Sequence, residues 1–156
     1  MADYTFVTRW ELEAPIQLVW DAIYDAEAWP SWWRGVVRVD KLAPGDAHGI
    51  GSVRRMAWKS ALPYTLEFES RTVRVEAPRL LEATVVGELV GTGLWQLTPR
   101  DASTVVQYDW NVSTTRAWMN LIAPIARPVF AWNHDYVMRH GGECLARLLG
   151  ARLVRA

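Results

Sequence analysis

The feature that most constrains the fold is a change of hydrophobic period near residue 115. Between residues 36 and 114, short segments that alternate apolar and polar residues follow one another with only turns between them. Such a pattern predicts an antiparallel meander of strands. After Thr115 the apolar residues recur at helical spacing as far as Leu149. A large antiparallel sheet has an apolar face that needs a cover, and only this C-terminal helix is long enough to provide it.

The pattern also predicts where the strands lie. They are expected at residues 4–12, 36–42, 50–59, 63–76, 80–90, 92–99 and 103–114. Turn-forming residues separate them, among them Pro44-Gly45-Asp46, Ala61-Leu62-Pro63, Ala77-Pro78-Arg79 and the segment from Gly91 to Gly93. After the first strand, Pro15 opens a short helix that ends near Asp25, and Pro30 begins a second short helix or turn. We therefore expect a single α+β domain over residues 1–156, with a seven-stranded curved antiparallel sheet.

The C-terminal helix contains two prolines and two adjacent glycines. Because Pro124 and Pro128 should not both fit inside one regular helix, we expect a short helix at 117–122 and a long one that starts between the prolines. The long helix should end at Leu149. Gly141-Gly142 indicates a close approach to the sheet, a kink or room for a ligand, and we favour the close approach. Its apolar stripe is predicted to consist of Val129, Trp132, Tyr136, His140, Cys144 and Leu148.

Charge, cysteine content and the length of the apolar runs argue against several classes of protein. The chain has 17 basic residues (Lys and Arg) and 17 acidic residues (Asp and Glu). Its net charge is therefore zero, which argues against a nucleic-acid-binding protein. The single Cys144 cannot form an intrachain disulfide, and no apolar run approaches the ~20 residues of a membrane span. The first residues lack the features of a signal peptide, so we expect a cytoplasmic protein. We expect it to be a monomer or a homodimer. Without a Gly-rich phosphate loop or metal-ligand spacing, no cofactor or metal is expected.

Three motifs accompany this order of elements. They are Ala14-Pro15-Ile16-Gln17-Leu18-Val19-Trp20, Trp29-Pro30-Ser31-Trp32-Trp33 and Trp132-Asn133-His134-Asp135-Tyr136-Val137-Met138. With them the chain resembles, over essentially its whole length, the polyketide-cyclase and START-like (SRPBCC) superfamily, which includes the birch-pollen allergens. The resemblance implies a helix-grip fold with a pocket for a hydrophobic molecule. It leaves the reaction open, because carriers, aromatase/cyclases and receptors share this fold.

Ten tryptophans are more than the core of one small domain normally requires. The resemblance implies that the two short helices form a rim of the cavity, so Trp33, like Trp29 and Trp32, should line the pocket or plug that end of the core. The strand aromatic residues that could point inward are Trp58, Tyr64, Phe68, Trp95, Tyr108 and Trp110. For any one of these aromatic residues, packing in the core is a better explanation than contact with a ligand. Taken together, however, the six favour a pocket for a flat apolar molecule.

One arginine stands out among the strands. Arg54 shares a strand face with Met56 and Trp58. If that face points inward, its guanidinium could hold an enolate, phenolate or carboxylate. The alternatives are that Arg54 faces solvent and Arg55 faces inward, or that both side chains bend to the edge of the sheet.

On the last helix, polar residues supply the remaining candidates. Asn133 could hydrogen-bond to a ligand carbonyl, and Tyr136 lies on the predicted apolar stripe as a further ligand contact. His140 is the candidate general base, with a structural role as the alternative. His134 and Asp135 are expected nearer the outer face, in solvent.

These residues leave three functions open. The first is a carrier or sensor that binds a small hydrophobic or aromatic molecule in an internal cavity between the sheet and the C-terminal helix. The alternative is a cofactor-free aromatase/cyclase or dehydratase that acts on a polyketide-like substrate, with His140 and Arg54 as catalytic groups. The third is a protein-interaction module that uses exposed tryptophans.

Overall fold

The structure is a computed structural model that describes residues 2–59 and 62–156. Its elements, in chain order, are β1 (Asp3–Leu12), α1 (Ile16–Tyr24), a 3₁₀ turn (Ala26–Ala28), α2 (Trp29–Trp32), β2 (Val36–Ala43), β3 (Val53–Lys59), β4 (Thr65–Glu76), β5 (Leu80–Gly87), β6 (Leu89–Arg100), β7 (Ser103–Thr114), α3 (Ala117–Leu149) and β8 (Leu153–Arg155). The strands form one antiparallel sheet in the order β2-β3-β4-β5-β6-β7-β1-β8. The predicted α+β helix-grip architecture is confirmed.

The sheet has eight strands where the sequence predicts seven. The additional strand, β8, pairs with the end of β1 through Glu11 and Leu12. It was missed because three residues are too few to show an alternating period. The predicted turn at Ala61 lies outside the described residues.

The boundary between β5 and β6 also differs from the prediction. The sequence places a break at Gly91, but β5 ends at Gly87 and β6 starts at Leu89. Both glycines have a positive φ, +123° at Gly87 and +157° at Gly91, but Gly87 ends β5, whereas Gly91 lies within β6 and pairs with both neighbouring strands. The connection consists of Glu88 alone. The sequence alone does not show which of these two glycines lies at the break between the strands.

Helix α3 is continuous through both prolines, so the predicted interruption is wrong. Each proline removes one backbone hydrogen bond to the residue four positions earlier. Pro124 and Pro128 both lie on the exposed side of α3, where water can bond to the carbonyls that they leave free. The helix therefore runs unbroken from Ala117 to Leu149.

The buried face of α3 differs from the predicted stripe, because Trp132 and two of its other members are exposed. The face that packs on the sheet is centred on Gly141 and Gly142. A Cβ atom at these positions would lie 2.5 Å from the Trp33 ring and 2.9 Å from the Trp10 ring, respectively. The indole N–H groups of Trp33 and Trp10 donate to helix carbonyls at 3.2 and 3.0 Å. The predicted close approach at the glycine pair is confirmed, and it sets the rotation of the helix.

Candidate functional site

A cavity of about 190 Å³ lies between the concave face of the sheet, the α1–α2 segment and α3. It is larger than the ~150 Å³ cavity known to hold benzene and smaller than the ~300–1,000 Å³ of most ligand pockets. The residues predicted from the sequence that line it are Trp29, Trp33, Arg54, Trp58, Tyr64, Phe68, Trp95, Tyr108, Trp110 and Asn133, whereas Trp32 is not among the lining residues. The cavity can therefore enclose a small molecule of a few rings.

Tyr136 and His140, also candidates from the sequence, are not among the residues that line the cavity. Their rings contact each other with centroids 4.1 Å apart. The Nδ1 atom of His140 lies 2.8 Å from the Tyr136 carbonyl oxygen, one turn earlier on the helix. Both lie on the predicted stripe, which the rotation set by the glycine pair turns away from the cavity.

Aromatic rings form most of the cavity wall. Trp95 and Tyr108 stack across β6 and β7 with centroids 4.0 Å apart, and Trp110 continues this stack. Trp33 meets Trp58 edge-on at 5.0 Å. Trp33 lines the cavity but is only 1% exposed, so it belongs to the core as well as to the wall. Burial raises the pKa of Tyr108 far above its ordinary value, which keeps this hydroxyl protonated.

Arg54 points into the cavity and its neighbour Arg55 points away from it. The Arg54 side chain is 12% exposed, whereas that of Arg55 is 54% exposed and pairs with Glu69 on the outer face. The reason is that strand β3 buries Met56, and residues two positions apart on a strand share a face. Of the three arrangements left open by the sequence, the one observed is that in which Arg54 faces inward.

A charged and polar cluster holds Arg54 in place. Its Nη1 donates to Ser52 Oγ at 3.0 Å, and Ser52 Oγ donates to Thr72 Oγ1 at 3.1 Å. Its Nε lies 3.1 Å from Glu27 Oε2, and Lys41 Nζ lies 3.1 Å from Glu27 Oε1. Lys41 is 46% exposed and does not line the cavity, so Arg54 is the cation that this end of the cavity presents, with Glu27 as its counterion.

Glu27 stays ionised in this cluster. Burial would raise the pKa of its carboxyl group, but its hydrogen bond with the backbone and the adjacent Arg54 and Lys41 outweigh that effect and lower the pKa below the ordinary value. The carboxylate therefore orients the Arg54 side chain at neutral pH. The guanidinium carries five N–H donors. Nη1 donates to Ser52, whereas the buried Nε, although 3.1 Å from Glu27 Oε2, has no hydrogen-bond partner among the described residues.

His134 lies in the cavity wall, contrary to its expected position in solvent. Its ring stacks on Phe6 with centroids 4.2 Å apart. Burial lowers the pKa of His134 to about 4, although the nearby Asp135 opposes this shift. The sequence signal that could have identified it is the helical spacing of Phe130, His134, Val137 and Gly141, which places it on the face of the glycine pair.

Comparison with known proteins assigns the family. Residues 4–143 match the model of the family described as polyketide cyclase / dehydrase and lipid transport. The chain belongs to this family. The resemblance drawn from the sequence motifs is thus confirmed. A search of curated proteins finds no match.

Solved structures share the fold of this polyketide cyclase/dehydrase and lipid transport family member. The Zhui aromatase/cyclase from Streptomyces sp. R1128 has a TM-score of 0.75 at 17% identity, covering 95% of this chain and 94% of its own. A START superfamily protein from Mycobacterium smegmatis has a TM-score of 0.75 at 16% identity, covering 94% and 97%. The TTHA0849 protein from Thermus thermophilus has a TM-score of 0.75 at 14% identity, covering 93% and 99%. Identities this low support a shared fold alone.

Most tryptophans of this family member lie inside it. Eight of the ten are buried or half-buried, and the exposed ones, Trp118 and Trp132, lie on α3. They belong to an exposed apolar stripe on the first half of that helix, formed by Trp118, Leu121, Ile122, Ile125, Val129 and Trp132. The interaction-module hypothesis rests on this stripe. No helix in the described part of the chain is long and apolar enough to cross a membrane.

Proposed function

We propose that the protein binds a small, flat, hydrophobic molecule in this cavity and holds an acidic or enolic oxygen of that molecule at Arg54. The observation that carries the proposal is a buried guanidinium in an otherwise aromatic cavity. Burial of a cation is costly, and Glu27 approaches Arg54 at the Nε atom, 3.1 Å away. An anionic oxygen of a ligand would add hydrogen bonds to the guanidinium from inside the cavity.

The size and shape of the cavity favour a planar molecule over a long acyl chain. The stack of Trp95, Tyr108 and Trp110 presents ring faces and edges, against which another planar ring packs well. The volume of about 190 Å³ suits a skeleton of two or three rings. Family membership is consistent with hydrophobic ligands and polyketide-derived ligands alike.

The direct test measures the affinity for 2-naphthoic acid by isothermal titration calorimetry, with the uncharged 2-naphthamide as a reference ligand. Arg54→Gln should weaken naphthoate binding by about 10- to 150-fold, because hydrogen bonds to charged groups contribute about 1.5–3 kcal/mol. The affinity for the amide should change little, since the amide carries no charge. A circular-dichroism spectrum establishes that the variant is folded.

Arg55→Gln is the matched control, because it makes the same chemical change on the next residue, which faces outward. It should leave both affinities unchanged. Equal effects of the two arginine substitutions would contradict an anchoring role for Arg54. Failure of the unmodified protein to bind either compound would contradict the proposed function itself.

A second candidate function is a cofactor-free cyclase or dehydratase acting on a polyketide-like substrate. The observation that favours it is that polar side chains, namely Arg54, Tyr108, Asn133 and His134, line the same cavity as the aromatic wall. The Zhui protein, which shares the fold, is described as an aromatase/cyclase. In such a reaction Arg54 would stabilise an enolate, and His134 is better placed than His140 to move a proton, since only His134 lines the cavity.

A further inference from the structure

Two buried polar atoms at the β1 side of the cavity have no hydrogen-bond partner among the described residues. They are the Tyr4 hydroxyl and His134 Nδ1. Tyr4 is only 7% exposed and lines the cavity, as does His134. The nearest carboxylate, Asp135 Oδ1, lies 3.8 Å from His134 Nδ1, which is beyond hydrogen-bond distance.

An unsatisfied buried polar group costs about 1–3 kcal/mol, so two of them in one wall call for an explanation. Core packing alone would favour phenylalanine at position 4, because Tyr4 already packs its ring against Phe6 and Phe130. The hydroxyl adds nothing to those contacts. A ligand atom that accepts or donates a hydrogen bond would satisfy both groups.

Strand register relates this pair to Arg54. Six residues, one from each of six neighbouring strands, form one row across the concave face. In order they are Arg54, Ser70, Val85, Gly91, Val112 and Tyr4, and each is paired with the next. Five steps of about 4.8 Å separate the ends of this row by ~24 Å along the sheet. Both side chains extend from the concave face of the sheet into the cavity. The middle of the row is apolar or small.

We propose that Tyr4 and His134 form a second subsite, which hydrogen-bonds a neutral hydroxyl or carbonyl oxygen at the end of the ligand opposite the acidic group. This inference rests on the proposed function and specifies its ligand as a molecule with oxygen atoms at both ends of a flat skeleton. The oxygen is neutral because both partners are uncharged at neutral pH: the Tyr4 hydroxyl is protonated, and burial lowers the pKa of His134 to about 4. Arg127 lies over the Tyr4 ring at 4.8 Å but donates to the Asp3 carbonyl oxygen, and it does not line the cavity.

The test compares 2-naphthoic acid with 6-hydroxy-2-naphthoic acid, which differ only in a hydroxyl group at the far end. Isothermal titration calorimetry should give an affinity about 3- to 10-fold higher for the hydroxylated acid, the effect of one added neutral hydrogen bond. Tyr4→Phe should abolish that preference and leave the affinity for 2-naphthoic acid unchanged. Its thermal midpoint should not fall, because the deleted hydroxyl has no partner in the fold.

Tyr136→Phe is the control, since it removes the same atom from a residue outside the cavity wall, and it should keep the full preference. Equal affinities of the unmodified protein for the two acids would overturn the subsite while the proposed function stands. The same holds if Tyr4→Phe keeps the preference. Binding of neither acid would overturn both the function and the subsite.

Discussion

Replacement of Trp33 by alanine should lower the free energy of unfolding by about 3–5 kcal/mol, the range for truncating a fully buried tryptophan. The indole is 1% exposed and packs against the rings of Trp29 and Trp58. Its N–H donates to the Val137 carbonyl, and its ring fills the space over Gly141. The substitution therefore removes a contact between the sheet side of the core and α3 as well as apolar area.

Urea denaturation followed by circular dichroism measures this loss without relying on tryptophan fluorescence. The matched control is Trp132→Ala, since Trp132 is 51% exposed on the outer face of α3. That change should cost no more than about 0.5 kcal/mol, as is usual for surface substitutions. A loss for Trp33→Ala as small as that of the control would contradict its place in the core.

Trp33 belongs both to the core and to the cavity wall, and this affects how ligand-binding data on Trp33 variants should be interpreted. Trp33 lines the cavity while supporting α3, so Trp33→Ala should weaken ligand binding through loss of structure as well as of contact. Arg54 and Tyr4 are better probes of binding, because conservative changes there remove single polar groups from the wall. Their predicted effects separate recognition from folding.

The sequence predicts the architecture well because hydrophobic period is a local property. Alternation identified all the long strands, although the break between β5 and β6 lies at Glu88 and not at the predicted Gly91 to Gly93 turn. Prolines in α3 misled the prediction, since whether a missing hydrogen bond is tolerated depends on which side of the helix faces water. That side is set by contacts with the sheet, which a local pattern does not contain.

The candidate site shows the same division between local and tertiary information. Inward aromatic residues on the strands follow from strand period, and so does Arg54 once the face of β3 is known. The cavity-lining residues of α3 do not follow from a period in the same way. The stripe predicted from hydrophobicity included His140 and omitted His134. Two small residues, Gly141 and Gly142, set the rotation of α3 through their contact with Trp33 and Trp10. Glycines carry no hydrophobic signal, so a pattern based on apolar side chains overlooked the face that matters.

Acidification from pH 7 to pH 4.5 should destabilise the fold by about 2 kcal/mol through His134 alone. Burial holds the pKa of His134 at about 4 in the folded protein, against an ordinary value of 6.5. At a pH between these two pKa values, His134 binds a proton in the unfolded chain but not in the folded chain. The stability that neutral His134 permits is therefore complete above about pH 6.5 and is lost as the pH falls towards 4.

Urea denaturation at several pH values tests this for the unmodified protein and for His134→Gln, which cannot titrate at this position. Carboxylates such as Glu27 contribute equally to both curves, so the difference between the curves isolates His134. That difference should grow by about 2 kcal/mol between pH 7 and pH 4.5. Parallel curves for His134→Gln would mean that His134 takes up its proton within the fold, and that this wall of the cavity admits water.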